Sequence, residues 1–137
     1  MPPRRHRKKI AFSQWNVVTA LVLVLLLLHL VLMFAGGMPE LFWYYQNFGL
    51  SWGGITHGKV WQLLSYALLH GDWVHLVINL FILWFAGGRV LQMLGQRKSL
   101  EIITAGVLVG GLLHLLSGLL PVTGYGESYL VGISGAC

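Results

Sequence analysis

The sequence predicts an all-α fold, a polytopic transmembrane helix bundle with three full spans, the start of a fourth and a long interfacial loop between the first two. Hydrophobic residues make up 56 % of the 137 residues and charged residues only 9 %, whereas soluble domains carry about 25 % charged residues. Three stretches approach the roughly 20 apolar residues that a helix needs to cross a bilayer. A fourth, aromatic stretch suits the membrane interface.

The first span is predicted at residues 16–36, after a basic N-terminal segment at 1–15. Five of the nine Lys and Arg residues fall between Arg4 and Lys9, and the Leu and Val run that follows contains His29 as its only ionisable group. This run is longer than the core of a usual signal peptide and has no clean cleavage site. We therefore expect an uncleaved span with a cytoplasmic N-terminus, because basic residues resist translocation.

The interfacial loop covers residues 38–72 and is rich in aromatic side chains, which favour the headgroup level. Two of its pieces, 40–48 and 59–69, are apolar enough for short in-plane helices, and the Gly-rich run 49–58 is predicted to break between them.

The second and third spans are predicted at 73–94 and 100–120, and a fourth begins at about 129. Residues 16–137 would then form one partial membrane domain. Arg89 lies near the end of the second span, and Arg97 and Lys98 lie between the second and third, which places that turn in the cytoplasm and the aromatic loop outside. We expect a multi-pass protein of a bacterial plasma membrane, with the lipid bilayer as its solvent.

Charge and cysteine content exclude several classes of function. Because most of the basic residues are confined to the N-terminal run, no basic face for nucleic acid is predicted. A single cysteine, Cys137, excludes an intrachain disulfide and a zinc site of the CxxC type. No cofactor and no metal are predicted.

Polar residues at the start of the second span form the pattern His70-x4-His75-x3-Asn79. His75 and Asn79 are four residues apart and so share one helix face, while His70 lies just before them, at the outer end of the span. Intramembrane polar residues are costly and point to function. Interhelical hydrogen bonding without any chemistry is the alternative for this pair.

The second polar signal is Gly132-Ile133-Ser134-Gly135, at the start of the predicted fourth span. Small residues around Ser134 allow close backbone approach, and a serine near a helix N-terminus has its own amide free to donate. An acyl-transfer nucleophile with an oxyanion site needs both properties. Taken alone, the motif is more often a packing motif.

The two motifs together resemble those of the rhomboid family of intramembrane serine proteases, as do the aromatic loop and a glycine-bearing turn at Gly87-Gly88. The resemblance implies a serine protease that cleaves transmembrane protein substrates near the outer membrane boundary. It implies that Ser134 is the nucleophile, that His75 and Asn79 stabilise the oxyanion, and that His70, Gly132 and Gly135 are structural motif residues.

Two departures from the family pattern concern polar residues that brace the fold. Gln62 follows Trp61 where the family usually has Trp-Arg, and Leu91 replaces a usual glutamate after the double glycine. The general base, a histidine on the sixth span in the family, would lie beyond Cys137, so we expect an incomplete and inactive chain. His114, in a Leu-rich stretch, is predicted to be a packed histidine rather than a substitute base, and so is His29.

Two alternatives stay open at this stage. One is a non-catalytic rhomboid-like scaffold that binds transmembrane clients through the same groove. The other is an unrelated polytopic protein, such as a transporter fragment or a metal-binding protein that uses His70 and His75. An intact GxSG motif disfavours the scaffold, and five-residue spacing on different helix faces disfavours metal binding. The sequence does not determine the oligomeric state.

Overall fold

A computed structural model describes residues 16–35, 38–119 and 129–133, and within these ranges the structure is helical. It contains α1 (Val17–Ala35), α2 (Met38–Phe48), α3 (Trp52–Thr56), α4 (Gln62–Ser65) with a following 3₁₀ turn (Tyr66–Leu68), α5 (Trp73–Ile82), a π turn (Leu83–Gly87) and α6 (Gly88–Ser117). The β-type pairing among the described residues is one antiparallel bridge between Leu50 and Leu130. The predicted all-α class is confirmed for these residues.

Among the described residues, two helical stretches are long and apolar enough to cross a membrane, Val17–Phe34 and Trp73–Ser117. α1 has 19 residues, which gives a length of about 29 Å and matches the span predicted at 16–36. Large apolar side chains such as Val31, Phe34 and Phe81 are exposed on these helices. Exposed apolar surface of this extent is expected of helices that face lipid.

The helical stretch Trp73–Ser117 is interrupted at Gly95, which has a φ of +82° inside otherwise helical backbone. Glycine tolerates this conformation because it has no Cβ. The turn predicted at Gly87-Gly88 is therefore wrong, since both of those residues have helical dihedral angles. The helical segment before the break agrees with the predicted stretch 73–94, whereas the segment after it runs from 96 to Ser117, displaced from the predicted 100–120.

The start of a fourth helix at about 129 is also wrong. Leu130 pairs with Leu50 through two main-chain hydrogen bonds of 2.8 and 3.0 Å, which needs extended backbone. Gly132 then adopts a φ of +101°, which is incompatible with a right-handed helix. Residues 129–132 thus form an extended segment rather than the first turn of a helix.

The segment between α1 and α5 contains more helix than its composition predicts. α2 confirms the predicted helix at 40–48, and α4 with its 3₁₀ turn lies within the predicted 59–69. α3 lies inside the predicted breaker run. The Oγ of Ser51 accepts a hydrogen bond of 3.0 Å from the Gly54 amide, and this N-cap stabilises a short helix that its two glycines would otherwise disfavour.

The core joins the connecting segment to the long helices. Leu25 of α1 packs in one cluster with Leu76, Leu83 and Leu50. Two side chains of the connecting segment also donate hydrogen bonds to carbonyls of α6: the Tyr66 hydroxyl to Val107 at 2.7 Å and the Trp52 indole to Leu115 at 2.7 Å. The loop is thereby attached to the third predicted span.

Candidate active site

The polar pair His75 and Asn79 lies on α5, and a local sequence feature determines where this helix begins. Asp72 is the N-cap, and its Oδ1 accepts a hydrogen bond of 2.8 Å from the His75 amide. This cap begins the helix at Trp73 and so places His75 in the first turn and Asn79 in the second. His75 is half-buried, whereas Asn79 is 2 % exposed.

Gly132 lies directly against both of these side chains. A Cβ on Gly132 would come within 2.6 Å of Cε1 and Nε2 of His75 and within 3.1 Å of Nδ2 of Asn79. The two side chains therefore share one face and converge on the main chain at Gly132. Because a side chain at 132 would overlap His75, the close approach requires glycine.

The segment that carries Gly132 is fixed by the loop between α1 and α5. Leu130 pairs with Leu50, and the Gly132 amide donates a hydrogen bond of 2.9 Å to the Tyr66 carbonyl. Ile133, the next residue, is buried in the core. These bonds hold the main chain immediately before Ser134 at a set distance from α5.

Ser134 and Gly135 lie outside the described residues, so the predicted nucleophile stays a prediction. Ser134 follows Gly132 by two residues, which is at most about 7 Å of extended chain. The Nδ2 of Asn79 is buried and has no hydrogen-bond partner among the described residues. A buried amide donor without a partner is costly, and a developing oxyanion would satisfy it.

His70 and His29 extend this site into a row of imidazoles. The ring centroid of His70 lies 5.4 Å from that of His75 and 6.5 Å from that of His29. Both residues are 2 % exposed. His29 is packed, as predicted, with its ring edge-on to Trp73 at 4.6 Å. The sequence pattern does not link His29 to His70, although His29 is the only ionisable group of α1.

The environment of His70 keeps its imidazole neutral. Burial, and to a smaller extent the neighbouring His75 and His29 imidazoles, lower the pKa of His70 from 6.5 to about 4, against a small opposing effect of the Leu68 main chain. Neither ring nitrogen meets hydrogen-bond geometry with a described residue. The Tyr45 hydroxyl instead donates to the His70 carbonyl at 3.2 Å, which fixes the main chain at the entrance to α5.

Gln62 braces the loop, although its replacement of the usual arginine predicts the loss of a polar brace at this position. It is fully buried, its Oε1 accepts from the Ser51 amide at 3.4 Å, and its Nε2 donates to the Gln46 carbonyl at 3.1 Å. Gly54 packs so closely that a Cβ there would overlap the Gln62 amide. The expectation that Gln62 removes a polar brace is therefore wrong, whereas Leu91 is buried in the apolar core.

Comparison with known proteins agrees with this geometry. The family model of the rhomboid domain matches residues 57–137, which is more than half of the chain and includes His75, Asn79 and Gly132. The chain belongs to the rhomboid family. The hypothesis of an unrelated transporter is thereby excluded, and the chain is part of a membrane protein.

Individual rhomboid relatives cover most of this chain but only part of their own length. It is 29 % identical over 110 residues to the rhomboid protease GlpG of Yersinia pestis (strain Pestoides F) and to that of Yersinia pseudotuberculosis (strain YPIII), covering 77 % of this chain and 37 % of each relative. It is 40 % identical over 53 residues to the rhomboid protease GlpG of Pectobacterium atrosepticum, covering 39 % of this chain and 19 % of the relative. This chain therefore spans about a third of the Yersinia proteins.

Proposed function

We propose that this rhomboid chain forms the front part of a serine endopeptidase that cleaves transmembrane proteins near the outer membrane boundary. The observation that carries the proposal is the close approach of the Gly132 main chain to His75 and Asn79. It supports a site in which two hydrogen-bonding side chains and the amide of a nearby serine surround one point.

In this mechanism the Ser134 hydroxyl attacks the scissile carbonyl to give a tetrahedral intermediate. Its collapse breaks the C–N bond, the amine leaves with the proton that the base took from serine, and the remaining acyl-enzyme is hydrolysed by water. The Asn79 amide and the His75 imidazole donate hydrogen bonds to the oxyanion beside the Ser134 amide. A general base must take the serine proton, because the hydroxyl is a weak nucleophile without one. The family resemblance assigns the base to a histidine of the sixth span, outside these 137 residues.

We also propose three full spans within this chain, with the N-terminus and the Gly95 turn in the cytoplasm. Arg97 and Lys98 follow that turn and both pair with Glu101, at 3.1 and 2.6 Å, so the turn is charged and exposed. The test is thiol labelling in a Cys137→Ser background. A cysteine at position 97 should react only after the membrane is permeabilised, and one at position 53 should react in intact cells. The reverse pattern would contradict the orientation.

The experiment that tests the activity is labelling of the complete protein with a serine-directed fluorophosphonate probe in detergent. We expect labelling of the wild type, loss of labelling in Ser134→Ala, and retention in the matched control Ser117→Ala, which removes a hydroxyl that donates to the His114 carbonyl. Labelling that persists in Ser134→Ala would show that the nucleophile is misassigned. An unlabelled wild type that still binds transmembrane clients would favour the scaffold alternative.

A further inference from the structure

Tyr66 connects three parts of the molecule. Its side chain is fully buried, and its hydroxyl donates a 2.7 Å hydrogen bond to the Val107 carbonyl in α6. Its own carbonyl accepts the 2.9 Å hydrogen bond from the Gly132 amide. One residue of the loop therefore links the third predicted span to the segment that leads into Ser134.

The ring of Tyr66 is confined between these two attachments. A Cβ on Gly111, one helical turn after Val107, would lie 3.2 Å from Cε1 of Tyr66 and 3.0 Å from Cδ2 of Leu50. Leu50 is itself paired with Leu130. Leu50 and Tyr66 both hold the 130–132 segment, and both pack against the face of α6 around Gly111.

The hydroxyl remains a donor under all ordinary conditions. Burial raises the pKa of the Tyr66 phenol, and the nearby Gly111 main chain opposes this only partly. The bond to Val107 adds to the one that this carbonyl accepts within the helix, using the second lone pair of the oxygen. It fixes the ring, and through the ring the carbonyl that receives the Gly132 amide.

We propose that Tyr66 is a positioning residue for the nucleophile: by joining Val107 to Gly132 it sets the position of the Gly132 main chain, two residues before Ser134, relative to His75 and Asn79. The inference rests on the proposed protease function. Its physical reason is that acyl transfer requires the reacting atoms within a narrow range, so that a displacement of about 1 Å can cost about 100-fold in rate.

Trp52 offers a matched control. Its indole donates an equally short bond, 2.7 Å, to the Leu115 carbonyl, so it joins the same loop to the same helix. The main-chain hydrogen bonds of the 130–132 segment involve Leu50 and Tyr66 rather than Trp52. A purely structural role would therefore make Tyr66→Phe and Trp52→Phe behave alike.

The experiment compares both variants of the complete protein with the wild type in cleavage of a transmembrane substrate and in thermal unfolding. We expect Tyr66→Phe to lower kcat about 10-fold with KM within about twofold, and both variants to lower Tm by about 3 °C. Trp52→Phe should keep its kcat. Gly111→Ala should reproduce the Tyr66→Phe loss, because its methyl group displaces the ring.

Two results would overturn the inference. One is a wild-type kcat in Tyr66→Phe, and the other is an equal loss of kcat in Trp52→Phe. A wild type that neither cleaves the substrate nor reacts with the fluorophosphonate probe would instead contradict the proposed function itself, so the two failures are distinguishable.

Discussion

The main chain at Gly132 lies so close to His75 that a single added methyl group at this glycine would stand 2.6 Å from the imidazole Nε2. This relationship brings together two motifs that are more than fifty residues apart in sequence. It also makes Gly132 the position at which the site is most sensitive to a small substitution.

We expect Gly132→Ala to abolish protease activity and to lower the free energy of unfolding by about 1–3 kcal/mol, because it combines a positive φ with a steric overlap. The measurement is substrate cleavage together with denaturation in detergent. Gly53→Ala is the control, since a Cβ at Gly53 meets nothing within 4 Å. An active Gly132→Ala variant would show that the segment does not approach His75 in this way.

Asn79→Ala should lower turnover by about 100-fold, corresponding to roughly 3 kcal/mol for one oxyanion donor. The buried Nδ2 of Asn79 has no described partner, so its removal should cost little stability. Ile78→Ala, which truncates an exposed neighbour on the same helix, should keep turnover close to the wild type. Unchanged turnover in both Asn79→Ala and His75→Ala would remove the oxyanion role from these residues.

The low pKa of His70 predicts a loss of stability in acid. Because the folded state holds this imidazole neutral down to a pH of about 4, the unfolded chain binds the extra proton between pH 6.5 and 4. The free energy of unfolding should therefore fall as the pH decreases through this window, by at most about 1.4 kcal/mol per pH unit from this group.

The check on His70 is the slope of Tm between pH 7 and pH 5. His70→Phe should flatten part of the slope, because the replacement ring fills a similar volume and cannot take up a proton. His57→Phe is the matched control, since His57 belongs to the same loop and is exposed. A His70→Phe variant with the wild-type slope would assign the acid sensitivity to another group.

Gln62→Leu should destabilise the loop by about 2 kcal/mol, because it leaves the Ser51 amide and the Gln46 carbonyl without their buried partner. The measurement is thermal unfolding, and protease sensitivity of the loop should rise with it. Gln92→Leu, at an exposed position of α6, serves as the control. Equal stability of the two variants would mean that water replaces the Gln62 bonds without loss.

Local patterns were enough to predict α1, α2 and the polar face of α5. The Leu and Val run predicted α1 because its hydrophobicity is continuous. The span predicted from residue 73 agrees with the start of α5, where the structure shows Asp72 as the cap. The spacing of His75 and Asn79 placed them on one face for the same local reason. The family was also evident from motifs that are written in the sequence itself.

Only the tertiary structure decided which residues these local elements contact. The glycine-bearing turn expected at Gly87-Gly88 is helical, whereas the break falls at Gly95, within the link predicted between the spans 73–94 and 100–120. Several glycines could have adopted a positive φ, and packing selects among them. The pairing of Leu50 with Leu130, the link from Tyr66 to Val107 and Gly132, and the packing of His29 near His70 all join residues far apart in sequence. Contacts of this kind depend on how the helices pack, and no periodicity along the chain encodes them.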